Sequence, residues 1–108
     1  MKDWFKAVTS NQDLPRSKGE DLQKLWEKQD GRCAYTGQIL IPGGNASIDH
    51  IIPITRGGTS VIENLQWTLY VVNRMKTNML DDEFLSACLA VLRKREPYVI
   101  EPQFREVK

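Results

Sequence analysis

The sequence predicts an α+β domain, a small antiparallel β-hairpin with helices before and after it. Three observations predict it. Leu22, Leu25 and Trp26 recur at helical spacing near the start of the chain. Ala46 to Ile52 is rich in β-branched residues and is bracketed by turn formers. From about Thr68 to Leu92, apolar residues again recur every three or four positions. The chain has 108 residues, enough for one domain with a modest core and too few for two, so 1–108 is read as a single unit. Its 41% hydrophobic and 27% charged fractions exclude a mainly disordered polymer.

Each element has its own local cause. Ser17-Lys18-Gly19-Glu20 has the capping-box pattern, so a helix is expected from about Lys18 to Gln29, ended by Gly31. Arg32 to Leu40 reads as a short extended segment with a tight turn at Thr36-Gly37. Pro42-Gly43-Gly44-Asn45 is turn chemistry, and the strand after it should stop near Pro53. The two extended pieces are near neighbours in sequence, so they are expected to pair as the hairpin. Thr55 to Ser60 is a loop. Leu69, Val72, Met75 and Met79 mark a helix from about Thr68 to Met79, with Met75, Met79, Trp67 and Tyr70 read as core. Asp81 is the expected N-cap of a third helix whose buried stripe is Phe84, Leu85, Cys88, Leu89, Val91 and Leu92. Arg93-Lys94-Arg95 complements the dipole of its last turn, and Pro97 stops it. The ends of the chain, 1–16 and 98–108, carry no firm pattern, Val99-Ile100 included.

Composition narrows the function. The net charge of +1 neither requires nor excludes a nucleic-acid partner, so phosphate attraction would come from local clusters such as Arg74/Lys76, Arg93/Lys94/Arg95 and Arg16/Lys18. The first residues lack the apolar stretch of a secretory signal. No segment approaches the roughly 20 apolar residues of a membrane span, so a cytoplasmic location without a membrane partner is expected. Cys33 and Cys88 form no C-x-x-C pair, and in that compartment two free thiols are expected.

The single histidine is the most informative residue. His50 follows an acid in Ile48-Asp49-His50-Ile51-Ile52-Pro53. One imidazole cannot build a multi-histidine zinc centre, but beside a carboxylate it can act as a base next to a hard metal ion. Taken one at a time, the neighbouring candidates are ordinary: Asp49 a strand-end acid, Asn64 a cap, Asn73 a solvated helix residue, Arg74 and Lys76 a solvated face.

Taken in order they resemble a family. Cys33-Ala34-Tyr35-Thr36-Gly37, Ile48-Asp49-His50-Ile51-Ile52-Pro53, Gly57-Gly58, Asn64-Leu65-Gln66 and Asn73-Arg74-Met75-Lys76 together resemble the HNH endonucleases. The resemblance implies a ββα-metal core, a hairpin and helix clamping one metal ion, at about residues 32–79. It also implies that His50 is the general base, that Asp49 and Asn73 are the metal ligands, and that Asn64 braces the loop and orients the histidine. Oxygen-only ligands favour one Mg²⁺ or Mn²⁺ ion. Many members carry two C-x-x-C pairs holding a structural zinc. The corresponding positions here are Cys33, Thr36, Leu69 and Val72, so no structural zinc is expected, and apolar packing should replace it.

The implied activity is hydrolysis of DNA to 5′-phosphate and 3′-hydroxyl ends, with one strand nicked per active site. The substrate is expected to be double-stranded DNA, with single strands also open to attack, and the protein a monomer or weak homodimer. Arg56, Arg74 and Lys76 are expected on phosphates beside the scissile bond. The rival reading is a catalytically silent HNH-like module for nucleic-acid binding or phage packaging.

Overall fold

A computed structural model describes residues 19–95. Ser17 of the expected capping box, the Arg16/Lys18 pair and Val99-Ile100 lie outside the described residues. The first helix, α1 (Gly19–Lys28), buries Leu22 and Trp26. It stops because Asp30 and Gly31 both turn left-handed, at φ 57 and 62°, and the Gly31 N–H returns to the Trp26 carbonyl at 3.0 Å.

Two strands follow, β1 (Ala46–His50) and β2 (Leu65–Leu69), antiparallel in the register Ala46↔Leu69 to His50↔Leu65. The hairpin is therefore not the expected one. Residues 32–40 contribute only the isolated Arg32–Ile39 bridge, because the segment closes on itself: Cys33 donates to Gln38 O at 2.8 Å and Gly37 to Cys33 O at 2.9 Å. The true partner, β2, lies where a helix is expected to begin. Leu65, Trp67 and Leu69 alternate into the core at the period of a strand. The next helix, α2 (Tyr70–Lys76), starts only after them and ends before Met79.

The ribbon has two unlike faces. Ile48, Leu65, Trp67 and Leu69 join Leu22 and Trp26 in the core. There the Trp67 indole donates to Leu22 O at 3.0 Å and meets Trp26 edge-on at 5.1 Å. The opposite face carries the cross-strand pairs Ser47–Thr68 and Asp49–Gln66, and α2 lies over it. At the outer edge of β2, the Gln29 side chain accepts the Trp67 N–H at 2.9 Å and donates to the Trp67 carbonyl at 3.0 Å.

Three of the four positions that resemble a zinc knuckle are packed by apolar groups, while Thr36 is exposed. Cys33, Leu69 and Val72 are all in the core, and the Cys33 thiol accepts the Leu69 N–H at 3.3 Å. Burying Leu69 and Val72 contributes about 1.5–3 kcal/mol each. Trp67 is buried and Met79 packs partly against the core, but Met75 and Tyr70 are half exposed, which corrects their reading as core.

The last helix, α3 (Asp81–Arg95), also departs from expectation. Of its expected buried stripe only Phe84 is buried, edge-on to Tyr35 at 5.4 Å, and Cys88 is partly covered. Leu85, Leu89, Val91 and Leu92 are exposed. Periodicity identified an apolar face but not what covers it.

The segment between the strands is tied down by a close backbone approach. A Cβ at Gly58 would sit 1.7 Å from the Ile52 carbonyl oxygen and 3.0 Å from the Asn64 amide nitrogen. Gly58→Ala is expected to force this segment open and to cost about 1–3 kcal/mol. Chemical denaturation measures the loss, and unchanged stability would contradict the contact.

Candidate active site

β1 stays regular to its last residue, so consecutive side chains diverge. Asp49 turns towards α2 and His50 reaches the loop after the strand. The His50 Nε2 lies 3.1 Å from Ser60 Oγ. That loop is held by Asn64. Its carboxamide oxygen accepts the Ile52 N–H at 2.8 Å, and its nitrogen donates to Ile52 O at 3.0 Å and Thr59 O at 2.7 Å. The Asn64 carbonyl takes the Ile51 N–H at 2.8 Å. Asn64 thus joins both ends of the segment that carries Ser60 to the imidazole.

Burial holds the His50 imidazole below its ordinary 6.5, and nearby Asp49 offsets this only in part. At neutral pH the ring is uncharged and has a lone pair to offer. If Nε2–H donates to Ser60, that lone pair is on Nδ1. The depressed value also fixes the sign for stability. The neutral ring contributes at pH above 6.5, and the contribution is lost as pH falls through the folded-state value.

Asp49 is buried, and its principal partner is Lys76. The Lys76 ammonium lies 3.0 Å from Asp49 Oδ1 and 2.8 Å from Oδ2, and it also donates to the carbonyls of His50 at 3.0 Å and Ile51 at 3.1 Å. Asp81 Oδ1 stands 3.6 Å away. Lys76 is 0% exposed. This corrects its expected role: a lysine enclosed by five oxygens cannot contact a DNA phosphate. The enclosure instead discharges a buried carboxylate and satisfies two carbonyls left without partners where β1 ends. Tyr35 closes it from one side. Its ring centroid is 5.9 Å from the ammonium, and its hydroxyl donates to Asp81. Burial first, and then that hydrogen bond, push the Tyr35 phenol above its usual range, so it keeps its proton.

Asn73, one turn before Lys76 on α2, spends both amide protons on β1, donating to Ser47 Oγ and to Ile48 O, each at 3.0 Å. Gln66, opposite Asp49, donates to Oδ2 at 2.8 Å. Arg56 forms a two-pronged pair with Glu83, at 2.8 and 3.3 Å, pinning the loop to α3. Arg74 is exposed, with its guanidinium 5.7 Å from the Tyr70 ring centroid.

Of the residues the sequence singled out, Asp49 and Asn73 both lie between β1 and α2, while His50, the last residue of β1, and Asn64 both bond to the segment that joins the strands. Sequence reasoning missed Ser60, Gln66 and the burial of Lys76. Gln66 would have followed from the true register, which sets it opposite Asp49.

Residues 31–78 match the model of the HNH endonuclease family. It is this segment that is similar to an HNH domain. No curated protein matches the chain. HNH domains are in general nucleases acting on DNA, although some members are inactive, and they commonly use a divalent metal. Among the described residues, no group of three or more His, Cys, Asp or Glu side chains could hold a metal ion.

The two expected ligands, Asp49 and Asn73, have only oxygen to offer, the donor type a hard ion takes. A carboxylate has about four lone-pair sites. Three on Asp49 are used, two by Lys76 and one by Gln66, which leaves one on Oδ1. The Asn73 carboxamide oxygen is a second candidate donor, since that side chain's nitrogen makes the bonds to β1. Two single-oxygen donors suit an ion that keeps most of its waters. The described side chains offer no sulfur set for zinc, because Cys33 is the only cysteine among the four knuckle positions.

Proposed function

We propose that this chain is a divalent-metal-dependent DNA endonuclease that nicks one strand per active site. The observation that carries it is the sole histidine at the end of β1, half-buried, uncharged at neutral pH and held by Ser60, inside the segment that matches the family. In this reading His50 takes a proton from water. The resulting hydroxide oxygen bonds to phosphorus as the bond to the 3′ oxygen breaks, and the departing 3′ oxygen takes a proton from solvent water, leaving a 5′-phosphate and a 3′-hydroxyl.

Asp49, through Oδ1, and Asn73, through its carboxamide oxygen, would hold Mg²⁺ or Mn²⁺. When bound, such an ion neutralises charge on the phosphate and on the departing oxygen. Asn64 and Ser60 are positioning residues that fix the loop and the imidazole. Arg74 and Arg56 supply phosphate contacts, Arg56 by exchanging Glu83 for DNA, and these contacts set affinity and salt sensitivity without reading sequence.

Supercoiled plasmid incubated with Mg²⁺ or Mn²⁺ is expected to become nicked, and chelator is expected to stop the reaction. The pH profile of nicking should rise through a midpoint below 6.5 and level off by neutrality, as a base with a depressed pKa requires. A midpoint at or above 7 would remove His50 from the role of free base.

One observation favours a second reading. Both Asp49 oxygens already hold an internal cation, the Lys76 ammonium. A domain that keeps this pair intact would bind DNA without cutting it. The same plasmid assay, run beside a binding measurement, separates the two readings.

A further inference from the structure

The Lys76 ammonium is at once the counter-ion of Asp49 and a fixture of the strand end. Its three N–H groups are committed to the Asp49 carboxylate and to the carbonyls of His50 and Ile51. None of the residue reaches solvent. Withdrawing it would leave one charge and two carbonyls enclosed without partners, which burial penalises heavily. The ammonium therefore stays in place when a second cation approaches Asp49.

Its presence decides what a divalent ion would meet there. Of the two expected ligands, Asp49 brings one negative charge, Asn73 brings none, and Lys76 cancels the one. Asp81 also faces the ammonium, at 3.6 Å, but its carboxylate is held by the Tyr35 hydroxyl. An ion bound through Asp49 Oδ1 shares that carboxylate with a buried cation, and little water intervenes to screen the repulsion. Affinity for hard cations rises with the charge of their ligands, so this pair alone holds the ion weakly. A DNA phosphate supplies what is missing, a negative charge and a further oxygen.

We infer that Lys76 makes the uptake of a divalent ion conditional on DNA, so that ion and DNA bind as a coupled pair. This rests on the nuclease reading, in which Asp49 and Asn73 are the ligands. Coupling is reciprocal: the factor by which DNA tightens the ion is the factor by which the ion tightens DNA. The lysine thus keeps the free chain from holding a metal ion with nothing to cut.

Mn²⁺ titration of the full chain, with free Mn²⁺ read by electron paramagnetic resonance, tests this without turnover. All chains in the titration carry His50→Ala, so that the DNA stays whole, and binding to the duplex alone is subtracted. A short duplex should tighten Mn²⁺ by about tenfold or more, within the usual range for coupled sites. Lys76→Gln keeps an N–H for the strand-end carbonyls but carries no charge. It should bind Mn²⁺ about tenfold more tightly without DNA and lose most of the gain from the duplex. Lys76→Gln is expected to be less stable, so the unaltered lysine provides an independent arm. Its ammonium resonance in NMR should persist when Mg²⁺ and duplex are added together. Equal Mn²⁺ affinity with and without DNA overturns the proposal. So does a folded Lys76→Gln chain that binds the ion as weakly as its parent, or loss of the lysine resonance, which would mean that the ion displaces it. The nuclease reading has its own control: Asn73→Ala should weaken Mn²⁺ binding in the presence of DNA. No weakening would remove the ligand set and this inference with it, whereas binding that needs Asn73 but ignores DNA overturns the inference alone.

Discussion

His50→Ala is expected to lower the plasmid-nicking rate by about 10²–10⁴-fold, the usual contribution of a positioned proton acceptor. The fold should survive. The imidazole is only half-buried, and its one described side-chain partner is Ser60, so its removal costs about 0.5–1.5 kcal/mol. Circular dichroism and DNA affinity should therefore change little while turnover falls. Free imidazole in the buffer should return part of the rate to the variant, because the gap left beside Ser60 matches the missing ring. A variant that nicks at the wild-type rate would remove His50 from the chemistry, and the proton would then need another acceptor.

The second large effect is structural. Lys76→Met leaves the Asp49 carboxylate buried without its cation, and it leaves the His50 and Ile51 carbonyls without a donor. Breaking one side of a buried ion pair costs about 3–5 kcal/mol, a large share of the 5–15 kcal/mol that small domains possess. The melting temperature should fall by more than about 10 °C. Asp49→Asn combined with Lys76→Met should recover part of the loss, since a neutral amide is less costly to bury than a lone charge. Mn²⁺ should raise the melting temperature of Lys76→Met more than that of the wild type, because the oxygen enclosure then lacks its own cation. Equal thermal stability of Lys76→Met and wild type would show that the pair does not hold the strand end.

The sequence was legible where local pattern determines structure. The helices at 19–28 and 81–95 follow from spacing, an end-breaking glycine and end charges, and the order Asp49-His50, Asn64, Asn73 is by itself enough to resemble the family. It was opaque where the answer depends on distant segments. β2 is five residues long, and the leucines at 65 and 69 fit a helix period as well as a strand. Only pairing with β1 resolves the ambiguity. Lys76 reads as a surface cation because lysine usually is one. The oxygens that enclose it come from Asp49, from two carbonyls at a strand end and from Asp81, and helix periodicity encodes none of them. Cys33 is the converse case. Its missing partners argued against zinc, but its acceptance of the Leu69 N–H needed the true position of β2.

The Gln29 side chain on β2 bears on solubility. A two-stranded ribbon has outer margins where foreign strands can add and propagate into fibrils. At Trp67 that margin is already occupied: the carboxamide supplies both a donor and an acceptor in place of a third strand, and the Ala34 N–H adds a bond to the same carbonyl at 2.9 Å. One glutamine therefore acts as a molecular selvedge, keeping the most apolar strand of the domain from templating its neighbours.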